Sequence, residues 1–81
     1  MVTASQIRAG RALLGWTQQL LADRALVAVN TVRAIENDTY TARVESVEAI
    51  RKALIGEGII FISADVMGEG VRLSQPEKTR R

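Results

Sequence analysis

Thr17-Gln18-Gln19-Leu20-Leu21-Ala22-Asp23-Arg24-Ala25-Leu26-Val27-Ala28-Val29-Asn30-Thr31-Val32-Arg33-Ala34-Ile35-Glu36-Asn37 divides into two short helical segments around a break of about three residues. Thr17 is placed to cap the first segment, which runs to about Ala25. Val29 to Asn37 then returns to helical spacing, with Val32 and Ile35 on its buried face. Ala22 and Ala25 are small enough to let the two segments approach closely, and Leu21, Val27, Val32 and Ile35 fill the space between them.

Working outward toward the N-terminus, Thr3 can cap an earlier helix, with Gln6 three residues on completing a capping box. Ile7, Arg11 and Leu14 recur at helical spacing, and Gly15 is placed to end that helix. On the other side, Asn37-Asp38-Thr39-Tyr40-Thr41 is turn chemistry. Val44 to about Ile55 reads as a fourth helix with Val47, Ile50 and Leu54 as its apolar stripe, and Gly56 and Gly58 break the period. Ile59-Ile60-Phe61-Ile62 suits a buried strand, and Val71-Arg72-Leu73 a return strand, with Gly68 and Gly70 in or near the turn between them. The polar stretch from Ser74 onward holds the only proline and reads as a disordered tail.

The predicted fold is mainly α, with four to five helices followed by a C-terminal β-hairpin. Residues 1–56 form the helical domain, 57–73 the hairpin and 74–81 a basic tail carrying Lys78, Arg80 and Arg81. With 47% apolar residues the 81-residue chain has ample material for a core, yet so small a domain gains from self-association. There is no cysteine or histidine. Disulfides and thiolate sites are thereby excluded, and neither a zinc site nor imidazole or thiol catalysis is expected. No cofactor and no enzymatic activity are expected. A net charge of +2 and a pI near 9.7 allow an anionic partner. No apolar run is long enough for a membrane span or a signal peptide, so a cytoplasmic protein is expected.

Two short helices joined by about three residues are what a helix-turn-helix requires: the first crosses the DNA backbone and the second lays its N-terminal face in the major groove. The series Arg11-Ala12-Leu13-Leu14-Gly15-Trp16-Thr17-Gln18, then Leu21-Ala22, Val27, Thr31-Val32 and Ile35-Glu36-Asn37, resembles the lambda Cro/repressor family of helix-turn-helix regulators, also called XRE, over roughly residues 5 to 55. The resemblance implies an ion pair between Arg11 and Glu36, with loss of one partner costing roughly 3 kcal/mol if the pair is fully buried. It implies double-stranded DNA as the partner, with phosphate contacts at Thr17, Gln18, Asn37 and Arg43. It also places Ala28, Val29, Asn30, Arg33 and Ala34 at or beside the base-facing positions. Asn30 can bond adenine N6 and N7 together, discriminating by about 1–3 kcal/mol; Arg33 can pair with guanine or neutralise a phosphate; Val29 and the alanines can touch thymine methyls. Trp16 and Tyr40 read as packing or turn residues.

The sequence departs from the family pattern at four positions. Leu26 stands where glycine is usual, costing about 1–2 kcal/mol if the left-handed backbone is kept. Ala28 replaces the usual Ser or Thr cap, a loss of roughly 1 kcal/mol. Leu20 replaces an acidic residue and breaks the second capping box, and Val29 replaces a polar residue. Leu20, Leu26 and Val29 together make a greasy surface, so a partner protein, as for an antitoxin or antiactivator, is the alternative to DNA. Ile59 to Ile62 is too apolar for a bare sheet edge. Ile59, Ile60, Phe61, Ile62, Val71 and Leu73 therefore either build a homodimer interface or pack only on the fourth helix.

Overall fold

A computed structural model describes residues 2–38 and 43–74, which fold as α1 (Ala4–Leu14), α2 (Gln18–Ala25), α3 (Val29–Asn37), α4 (Val44–Gly56), β1 (Ile59–Ile62) and β2 (Gly70–Leu73). The fold is mainly α, with four helices among the described residues ahead of one antiparallel hairpin. Residues 39–41 of the expected turn and residues 75–81 of the expected tail lie outside the described residues.

Local chemistry sets the helix ends. The Thr3 hydroxyl accepts the Gln6 N–H at 3.2 Å while Gln6 Oε1 accepts the Thr3 N–H at 3.0 Å, so the capping box of α1 is complete. Gly15 closes α1 in the left-handed region at φ 70°, and the Trp16 N–H turns back to the Arg11 carbonyl at 3.0 Å. Thr17 then opens α2, its hydroxyl accepting the Leu20 N–H at 3.0 Å. The turn between α2 and α3 is Leu26-Val27-Ala28, locked by the Val27 N–H donating to the Ala22 carbonyl at 3.0 Å. Ala28 holds the extended N-cap conformation of α3 without a side-chain cap bond.

Leu26 keeps the left-handed backbone, at φ 61° and ψ 43°, and its side chain is 90% exposed. It therefore bears the strain of its Cβ with almost no burial to offset it. Leu26→Gly is expected to raise stability by about 1 kcal/mol, after allowing for the freer unfolded chain of glycine. In thermal unfolding that is a rise of roughly 4–8 °C. An unchanged or lower melting temperature contradicts the strain.

The core is built from Ile7, Leu21, Ala22, Ala25, Val32, Ile35, Val47, Ile50, Leu54 and Ile59, with Trp16, Val27, Val29, Phe61, Val71 and Leu73 packed around it. Ala22 and Ala25 are buried on α2, which packs against α3 and α4. Three details differ from the sequence reading. Helix α4 takes in Gly56 as its last residue, and the break falls at Gly58. There φ is 103° and a Cβ would sit 2.8 Å from the Ser74 carbonyl oxygen, so the position requires glycine. Gly70 belongs to β2, paired with Ile62.

The third difference is that β1 is not buried throughout. Its pairing is Ile59 with Leu73, Ile60 with Arg72, Phe61 with Val71 and Ile62 with Gly70. Side chains alternate across a strand. Ile59, Phe61, Val71 and Leu73 pack on the core, whereas Ile60 is 42% exposed on the other face beside exposed Arg72. Strand β2 lies against α1 and β1 against α4. Buried Gln6 fastens the end of the ladder: its Nε2 donates to the Ile62 carbonyl at 2.9 Å and to the Gly70 carbonyl at 3.0 Å. Among the described residues no helix is long and apolar enough to cross a membrane.

Candidate functional site

Three helices converge on one buried carboxylate. Glu36 is almost fully buried near the end of α3, and Arg11 of α1 reaches it with two bonds, Nε to Oε2 at 2.8 Å and Nη2 to Oε1 at 3.0 Å. This is the forked geometry that a guanidinium and a carboxylate share. Gln18, the first residue of α2, donates through Nε2 to the same Oε1 at 3.0 Å. The remaining reach of Arg11 goes to the Trp16 carbonyl, Nη1 to oxygen at 3.0 Å. Arg8 donates to the backbone carbonyl of Glu36, where a cation suits the negative end of a helix. No buried side-chain nitrogen or oxygen is left without a partner among the described residues. The hub thus ties α1, the start of α2 and the end of α3 into one rigid frame.

That frame holds α3 with one face outward. Asn30, Arg33 and Asn37 recur at spacings of three and four, and all three are exposed. Val32, Ile35 and Glu36 occupy the buried side. Exposed Ala28 precedes this stripe at the turn, and Ala34 lies half-buried beside it. Arg43, at the N-cap of α4, is exposed as well. Neither α2 nor α3 has an acidic residue in its first turn, so no carboxylate there opposes an anion at the positive helix ends.

Some residues take roles that the sequence did not reveal. The Gln18 side chain bonds Glu36 within the hub, and the backbone N–H groups of Gln18 and Gln19 stand at the start of α2. Val29 packs against the core, and Leu20 is half-buried. Of the three apolar departures in this motif, Leu26 alone is bare. Arg24 lies with its guanidinium carbon 5.0 Å from the Trp16 ring centroid and pairs with Glu57 at 3.3 Å, so it braces α2 against the end of α4. Gln6 and Arg8 gave no sign in sequence of their distant partners; only the capping box marked Gln6. Among the described residues no group of three or more His, Cys, Asp or Glu side chains could hold a metal ion.

A family model described as helix-turn-helix matches residues 7–55, more than half of the chain. No curated protein gives a significant match. The matched span runs from the core residue Ile7 through the hub and the outward face of α3 to the end of α4. The chain belongs to the Cro/repressor-type helix-turn-helix family, a family of DNA-binding transcription regulators.

Proposed function

We propose that the protein is a sequence-specific regulator of transcription, a repressor or autoregulator, that lays α3 in the major groove of double-stranded DNA as a homodimer. One observation carries this reading: the exposed stripe Asn30, Arg33 and Asn37 projects from a short helix whose back is fixed by the Glu36 hub. A helix so fixed presents its donors to base edges with little loss of freedom on binding. The backbone N–H groups behind Thr17 and the guanidinium of Arg43 supply phosphate contacts that set register.

Dimerisation is supported by the hairpin. Its outward face carries Ile60, and Phe61 and Ile62 are incompletely covered within one chain. A second copy that pairs along this strand covers them and closes a two-fold assembly. Half-sites then lie about 34–36 Å apart on one face of the duplex. Size-exclusion chromatography with light scattering tests this part, and a monomer at micromolar concentration overturns it.

Titrating an operator selected from random duplexes, at several salt concentrations, tests the DNA reading. Affinity is expected to fall steeply with salt while the operator is retained over random competitor. Asn30→Ala is expected to relax base preference more than overall affinity, and Arg43→Ala to weaken binding uniformly. No detectable binding at low salt, or no change from either substitution, overturns the reading.

A further inference from the structure

Asn30 and Arg33 stand about one turn apart on the outward face of α3, and Nη1 of Arg33 donates to Oδ1 of Asn30 at 2.8 Å. A lone asparagine reads adenine because it offers an acceptor to the N6 amino group and a donor to N7 at once. In this pair the only acceptor already takes a charged donor, the stronger kind of hydrogen bond. The second lone pair of that oxygen stays open, but an amino group approaching it brings positive hydrogens toward the guanidinium. What the pair presents outward is the Nδ2 hydrogens of Asn30 and the remaining N–H groups of Arg33, which are donors only.

Resting on the DNA-reading role proposed above, we infer that Asn30 and Arg33 act as one donor-only unit. That unit selects a base edge presenting acceptors only, the N7 and O6 of guanine, over the adenine a free asparagine prefers. Guanine is also the only base that offers two acceptors and no donor in the major groove. Arg33 thereby sets the preference of Asn30 as well as making contacts of its own.

Binding-site selection from a randomised duplex library, with the full chain, Asn30→Ala and Arg33→Met, tests this. Both positions are exposed, and circular dichroism confirms that each variant is folded. The unsubstituted protein is expected to favour guanine over adenine by roughly tenfold or more at the position whose preference Asn30→Ala abolishes. Arg33→Met, which frees Oδ1 and keeps an unbranched apolar stem, is expected to shift that position toward adenine. Adenine chosen there by the unsubstituted protein overturns the inference, as does guanine retained there in Arg33→Met; both leave the regulator reading standing. A library in which the unsubstituted protein enriches nothing overturns the regulator reading and this inference with it.

Discussion

Glu36→Ala is expected to lose about 3–5 kcal/mol of stability, because it strips the carboxylate from a guanidinium and an amide that are already turned inward. Arg11 keeps one bond to the Trp16 carbonyl, and Gln18 loses its acceptor in the hub. A chain of 81 residues typically holds about 4–12 kcal/mol in all, so the loss consumes much of the margin. In urea titrations followed by circular dichroism, the midpoint is expected to fall severely. Replacing both partners with apolar residues, Arg11→Met with Glu36→Leu, is expected to recover most of the loss, since no charge is then stranded. If the single substitution unfolds the protein no more readily than the double, the penalty does not come from uncompensated charge.

Arg33→Glu is the counterpart on the outward face, where stability and binding are expected to separate. The side chain is exposed and bonds Asn30, so the fold is expected to move by no more than about 0.5 kcal/mol. Binding is another matter. Each good bidentate base contact is worth about 1–3 kcal/mol, and the proposed dimer loses two, while each subunit gains a carboxylate facing phosphates. Affinity for the selected operator is expected to fall by roughly 100-fold or more at low salt. Fluorescence anisotropy with labelled operator reads the loss, and thermal unfolding checks the fold. Unchanged affinity removes α3 from the DNA face.

The helices were legible in the sequence because their ends are written in local chemistry. Thr3 with Gln6, Gly15 and Thr17 each act within a few residues, and the apolar period of Val47, Ile50 and Leu54 is a one-helix property. The left-handed state of Leu26 could not be read from leucine, which has no leaning that way; only the family resemblance, which puts glycine at this position, pointed to it. The hairpin hid its faces because Ile59 to Ile62 is apolar at every position, so no alternation betrays that Ile60 points outward. In the site, the pairing of Arg11 with Glu36 came through family resemblance, not from any local signal. Gln18 could be placed at the start of α2, but not on Glu36, because a glutamine side chain goes to whichever strong acceptor the tertiary fold brings near.

One helix carries both ends of the proposed machinery. Through Gln6 the first turn of α1 holds the carbonyls of Ile62 and Gly70, and through Arg11 its last turn holds Glu36. Peeling the hairpin away takes both carbonyl acceptors from the Gln6 amide, and fraying α1 loosens the carboxylate beneath the outward face of α3. Hairpin and helices are therefore expected to open together, with linkage along α1 in both directions: whatever steadies the hairpin is expected to steady the surface presented by α3.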